Sequence, residues 1–220
     1  MIKLYDLIGK NDIRFSPYCW RIKYLLNFKQ IPYETVPTTF TDRLKNPIFG
    51  ESRLPTMEDN EMKISDSFII AKYIESNYLN KNTILISSSN IDAVTFINNW
   101  SDNFLNSSIL QRVLNDITYH LDPEDKDYFI LSRTKRFGEE PKKYQDKHLV
   151  IKNNEFIKNC ALLNTQLKDR LFILGDQISY ADMIILGSFT WGDKVSKNTR
   201  IDNNLEYLLK WKEKIEVLCK

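Results

Sequence analysis

The opening forty residues contain a strand, a helix and a second strand, and that order leaves few folds open. Lys3-Leu4-Tyr5-Asp6-Leu7-Ile8 alternates apolar and polar side chains before reaching Gly9, the pattern of a short half-buried strand closing into a loop. Ser16-Pro17 pairs an N-cap hydroxyl with proline at the first helical position, and Cys19, Ile22, Leu25 and Leu26 follow at helical spacing. This predicts a helix from about Pro17 to Lys29. Tyr33-Glu34-Thr35-Val36 then reads as the second strand. A helical crossover returns the chain to the end from which it started, so the two strands are expected to be parallel.

Arg43 to Ser52 holds Pro47 and Gly50 without a stable period, which predicts a loop or a poor helix. Leu54-Pro55-Thr56-Met57-Glu58 and Met62-Lys63-Ile64 flank Asp59-Asn60-Glu61 and predict a hairpin. Ser65-Asp66-Ser67 supplies capping residues for the apolar run Phe68, Ile69, Ile70, Ala71, Tyr73 and Ile74, which ends near Tyr78. The order β-α-β-α-β-β-α, with a proline at the head of the third strand, is the thioredoxin-like arrangement, assigned here to residues 1–79. Polar, aperiodic residues 80–90 are the expected linker. From 91 to 220 the pattern is all-α. Val94 to Leu105, Phe129 to Phe137 and Leu149 to Leu167 form apolar stripes, Pro141 breaks the chain between the last two, and helices are expected from Ile178 to Trp191 and from Leu205 to Leu218.

Composition removes several classes of function. The chain has 31 Lys+Arg against 29 Asp+Glu, a net charge of +2, so no sequence-wide field favours a nucleic acid. Three cysteines, Cys19, Cys160 and Cys219, leave at least one thiol free and favour a reducing compartment. The N-terminus lacks the apolar core of a signal peptide, and no window approaches a membrane span, which predicts a cytoplasmic protein. His120 and His148 stand far apart and away from the cysteines, so no metal is expected.

Ser16-Pro17-Tyr18-Cys19 resembles a glutaredoxin active-site motif whose first cysteine is serine, and it also resembles the Ser-Pro-aromatic motif of serine-type glutathione transferases. The longer segment Ser16 to Leu26 is similar to the fungal etherase-related (FuA) glutathione transferases and the bacterial β-etherases. Arg53-Leu54-Pro55-Thr56 resembles that superfamily's cis-proline segment, and Ile64-Ser65-Asp66-Ser67 its acidic-Ser pair. Ser179-Tyr180-Ala181-Asp182 matches the Ser-x-x-Asp box of its helical domain, and Ser132 to Gly138 is similar to an Arg/Phe-Gly segment of fungal members. The resemblance covers nearly the whole chain and is weakest over 43–52 and 80–90.

This resemblance implies glutathione as co-substrate and assigns roles. Ser16 would donate to the glutathione sulfur; Leu54, before a cis Pro55, would pair with the cysteinyl backbone; Asp66 and Ser67 would hold the γ-glutamyl end; Arg53, or less directly Arg43 or Lys45, would meet the glycyl carboxylate. Tyr18 completes the implied glutathione site. The chemistry is reasonable, because a cysteinyl thiol near its ordinary ~8.5 is mostly protonated at neutral pH, and a hydroxyl at a positive helix end favours the thiolate. Each residue also has a plain alternative: Ser16, Asp66 and Ser67 as helix caps, Leu54-Pro55 as an ordinary turn, Arg53 as a solvated charge, Cys19 as a small core residue. Three activities fit the motifs: conjugation of a hydrophobic electrophile bound between the domains, glutathione-dependent reduction or ether cleavage, and non-catalytic storage of hydrophobic ligands. A homodimer is expected from the resemblance and from the surplus of apolar residues Ile69, Ile70, Tyr73, Phe96 and Trp100 at the domain junction. Trp100, Asn103, Ser107 and Gln111 share a helix face that could line the electrophile pocket.

Overall fold

The computed structural model describes residues 1–47, 49, 53–78, 83–151 and 154–220. Among these, four strands form one sheet in the order β2-β1-β3-β4. β1 (Ile2–Leu7) pairs in parallel with β2 (Tyr33–Thr38), as the crossover requires, whereas β3 (Thr56–Asp59) and β4 (Met62–Ser65) add antiparallel neighbours. α1 (Pro17–Phe28) is the crossover, and α3 (Ser67–Asn77) follows the hairpin. Ile2, Leu4 and Met57 of the sheet meet Ile22, Leu25, Leu26, Ile70 and Ile74 in one buried core.

The expected loop at 43–52 is corrected in part. A short helix, α2 (Phe40–Lys45), starts earlier, because Thr39 and Asp42 cap it reciprocally: the Asp42 N–H donates to Thr39 Oγ1 at 3.1 Å and the Thr39 N–H to Asp42 Oδ2 at 3.3 Å. Of the expected loop, Ile48 and 50–52 lie outside the described residues, as do 80–82 of the expected linker. The described part of that linker is docked, since Leu85 is buried, its N–H donates to Glu75 Oε1, and its carbonyl accepts from the Tyr180 N–H.

The helical half begins with α4 (Ile91–Trp100) and α5 (Asn106–Val113), joined without a break by a π-helical stretch at Ser101–Leu105. α6 (Pro123–Phe137) ends at Gly138, whose φ of 75° is the left-handed closing conformation that glycine adopts freely. The sequence reading missed α7 (Pro141–Leu149), which Pro141 opens at its first position, and it started the next helix too early: α8 is Glu155–Gln166, capped by Asn154. α9 (Tyr180–Val195) and α10 (Glu206–Leu218) complete the chain. No helix among the described residues is long and apolar enough to cross a membrane.

α9 is the axis of the molecule. It is buried nearly all round, which explains its continuous apolar sequence, and it packs along α1. The contact depends on Gly187, where a Cβ would lie 2.7 Å from the Pro17 carbonyl oxygen, so a larger residue would push the start of α1 away.

Candidate functional site

Strand register gathers the site residues. Tyr5 of β1 pairs with Thr56 of β3, and Thr56 pairs with Ser65 of β4, so the next positions, Pro55 and Asp66, emerge at the sheet end where β1 finishes. A bridge between Ile8 and Arg14 folds the chain back and delivers Phe15 and Ser16 to that end. Asp6, fully buried, anchors both sides of this turn, accepting from Arg14 at 3.1 Å in the loop and from Lys23 at 2.8 Å in α1. The Trp20 indole N–H adds a bond to the Arg14 carbonyl at 2.8 Å. Three separated motifs are thus brought together by one sheet edge.

Ser16 is the N-cap of α1 and is 5% exposed. Its Oγ accepts from the Cys19 N–H at 3.2 Å, which leaves the hydroxyl proton as the group that can be donated. The Leu54-Pro55 bond is cis. Asp66 caps α3: its Oδ1 accepts from the Phe68 and Ile69 N–H groups at 2.8 and 3.1 Å, and the residue is exposed. Its φ of 79° and ψ of 124° form a backbone conformation that an L-residue adopts at a cost, a feature typical of functional corners. Ser67 is buried, and its carbonyl accepts from the Tyr180 hydroxyl at 3.2 Å, which fixes the head of α3 to α9. Arg53 is exposed, with no ion-pair partner among the described residues. Lys45 is engaged by Glu124 of α6 at 2.5 Å.

Tyr18 is half-buried, stacked over the Arg21 guanidinium at 4.8 Å, with its hydroxyl beside Asn106 of α5. Burial, reinforced by the Asp102 charge, raises its pKa. Arg21 was not singled out in the sequence, yet it is 0% exposed and joins the two halves through Asp102 at 2.7 Å, Asn98 at 3.2 Å and Ser101 at 3.2 Å. An arginine inside an apolar helical stripe was the available signal, because a buried guanidinium requires partners. Of the residues on the α4–α5 face, Asn103 and Ser107 are exposed, whereas Trp100 and Gln111 are half-buried, Gln111 bonding Tyr144. A cavity of about 340 Å3, lined by residues including Tyr5, Val36, Pro37, Lys45 and Phe49, lies between β1–β2 and α2; of the candidate site residues it includes Lys45 but not Ser16, Tyr18, Arg53, Leu54, Pro55, Asp66 or Ser67.

The three thiols are free and buried. Burial pushes those of Cys160 and Cys219 up to about 12, and burial with the Asp6 charge drives that of Cys19 higher still. Cys19 therefore packs in the core as a small apolar residue. Thiol titration of the native protein at mildly alkaline pH is expected to find no rapidly reacting group, and titration in denaturant to find three. A fast native thiol would contradict this assignment.

Residues 12–82 match the family model for the glutathione S-transferase N-terminal domain and residues 94–213 the model for its C-terminal domain. The fold is similar to glutathione transferase GSTFuA2 from Phanerochaete chrysosporium, with a TM-score of 0.82 and 18% identity over 100% of this chain and 98% of that one. It is also similar to a glutathione S-transferase of Ceriporiopsis subvermispora in complex with glutathione, with a TM-score of 0.74 and 25% identity over 98% of this chain and 97% of that one. Glutathione S-transferase U19 of Arabidopsis thaliana is 23% identical over 171 residues, 77% of this chain and 64% of that protein, just under two thirds of its length. Sheet, helical half and both domain models agree, and the chain belongs to the glutathione S-transferase family.

Proposed function

We propose that this protein is a glutathione transferase in which Ser16 stabilises the glutathione thiolate for attack on a hydrophobic electrophile held between the domains. The observation that carries this reading is the Ser16 hydroxyl at the head of α1: its oxygen accepts from the Cys19 N–H, which leaves its proton for donation at a helix end where a thiolate is favoured. Leu54, beside the cis Pro55, offers backbone groups to the cysteinyl unit. Asp66 Oδ2 receives the γ-glutamyl amine while Oδ1 keeps the cap, and Ser67 with the first N–H groups of α3 receives the carboxylate. Arg53 meets the glycyl carboxylate, and Tyr18 closes the site toward the helical half. The burial of Cys19 disfavours a thiol-exchange cycle. Three free, buried cysteines suit the cytoplasm.

Calorimetry with glutathione tests the site. Saturable binding is expected, and at a hundredfold excess over Kd the folded state gains about 2.7 kcal/mol, seen as a rise in Tm. No heat and no rise at millimolar ligand would overturn the assignment.

We also propose a homodimer. Of the apolar residues expected to be in surplus at the junction, Ile70 is in the core and Tyr73 and Trp100 are half-buried, but Ile69 is 52% and Phe96 68% exposed. Exposed aromatic and branched side chains on α3 and α4 favour a second copy. Light scattering is expected to give twice 26.1 kDa, and a mass of 26.1 kDa that persists on concentration would remove the proposal.

A further inference from the structure

Two arginines of α6, Arg133 and Arg136, have no carboxylate partner among the described residues. Arg133 and Arg136 are one turn apart and so share a helix face. The Arg133 guanidinium lies 4.6 Å from the Phe129 ring centre and 5.9 Å from that of Phe40, and it donates to the neighbouring Ser132 hydroxyl at 3.2 Å. Among the described residues neither arginine has an acidic side chain within ion-pair distance. Three acids of α6 and its surroundings are engaged by other cations: Asp102 by Arg21, Glu124 by Lys45 and Glu139 by Lys147.

A run of aromatic rings links Arg133 to the Ser16 segment. Phe15, next to Ser16, is 6.0 Å from Phe40; Phe40 is 5.7 Å from Phe129; and Arg133 covers both of those outer rings. Arg136 lies within electrostatic reach of the Tyr18 hydroxyl and of Arg133, whose pKa is lowered by burial and then by the Arg136 charge. Arg133 is half-buried and Arg136, one turn on, is exposed, so two like charges share one face, an arrangement that an anion between them would relieve. Their planar forks suit a carboxylate or sulfonate, and the Phe40, Tyr128 and Phe129 rings supply a surface for an aromatic ring.

We propose that Arg133 and Arg136 form an anion-recognition pair at the electrophile end of the cleft, and that the preferred electrophile is an aromatic compound carrying a carboxylate or sulfonate group. The proposal rests on the transferase reading above. In the reaction, the glutathione thiol releases its proton to solvent, the sulfur forms a bond to the electrophilic ring carbon, and the halide on that carbon leaves as an anion; the substituent bound by the arginines is unchanged.

The test compares a chlorodinitrobenzoate with the corresponding chlorodinitrobenzamide, which differ in charge and little in shape. The ratio of their kcat/KM values is expected to fall about tenfold in Arg136→Gln and in Arg133→Gln, the loss of one charge-assisted hydrogen bond, while Arg133→Lys retains part of it. Arg136 is exposed, so its variant keeps the fold even if the partly buried Arg133 variant does not. A binding measurement separates the two readings: by fluorescence, anilinonaphthalene sulfonate should lose more affinity in the variants than neutral phenylnaphthylamine. If neither aryl chloride reacts, the transferase reading fails and the binding ratio alone decides the arginine pair. Equal ratios in the unmodified protein and in both glutamine variants would overturn the proposal.

Discussion

Ser16→Ala is expected to lower conjugation of an aryl chloride by on the order of a hundredfold while leaving glutathione affinity nearly unchanged, because the hydroxyl acts on the sulfur's charge more than on ligand placement. A thiol near its ordinary ~8.5 is only a few per cent ionised at neutral pH, so the nucleophile is scarce unless the protein favours the anion. Removal of one positioned donor from a developing or resident anion costs ~3 kcal/mol. The same oxygen caps α1 through Cys19, and losing a cap costs about 1 kcal/mol in stability, which could be mistaken for a catalytic effect. Glycine separates the two contributions, since it is tolerated at an N-cap with a cost of only about a few tenths of a kcal/mol. Ser16→Gly should therefore lose turnover as Ala does, keep most of its stability, and move the ionisation of bound glutathione toward the free value, followed by thiolate absorbance against pH. Full turnover in Ser16→Gly would transfer the activating role to another donor.

The parts of this site that could be read from the sequence have local causes. Ser16-Pro17 announces a helix start within two residues, and Asp66-Ser67 does the same for α3; the structure adds that Asp66 spends one oxygen on two backbone N–H groups and so has one left for a ligand. Strand alternation was equally local; register then sets Pro55 and Asp66 at one sheet end, and the Ile8–Arg14 bridge brings Ser16 to it. What the sequence concealed depends on distant partners. Arg21 meets residues about eighty positions away, across the domain junction, and nothing near position 21 announces them. α7 carries few apolar residues and was invisible to periodicity, because a polar side chain anchors it: buried Gln145 accepts from the Asn115 and Asp116 N–H groups at 2.7 and 3.2 Å and donates to Asp116 Oδ1 at 2.8 Å. α2 was misplaced for a smaller reason, since its box closes with aspartate at Asp42 where glutamate or glutamine is the usual signature.

Asp182→Ala should be the most destabilising single change in the helical half, by on the order of 4 kcal/mol. Asp182 is 0% exposed and its carboxylate serves several donors. Oδ1 accepts from the Ile173 N–H at 3.0 Å and from the Trp211 indole N–H at 2.8 Å; Oδ2 accepts from the Ser179 N–H at 2.9 Å. One side chain thus caps α9, holds the loop before it and fixes α10 to both. Truncation leaves three buried N–H groups without an acceptor, each costing about 1–3 kcal/mol, and removes the cap. Because α9 also supports the site, through Tyr180 on the Ser67 carbonyl and Gly187 against Pro17, loosening its first turn reaches both helix starts that are proposed to hold glutathione. A drop in Tm on the order of 10 °C is expected for a chain of this size, accompanied by weaker glutathione binding. Asp182→Asn should lie between the two, since its oxygen can still serve Ile173 and Trp211 while its amide opposes the Ser179 N–H. Urea unfolding monitored by tryptophan fluorescence measures the series. A loss below about 1 kcal/mol for the alanine variant would mean that water or a neighbouring carbonyl satisfies these donors and that Asp182 is not the keystone of α9.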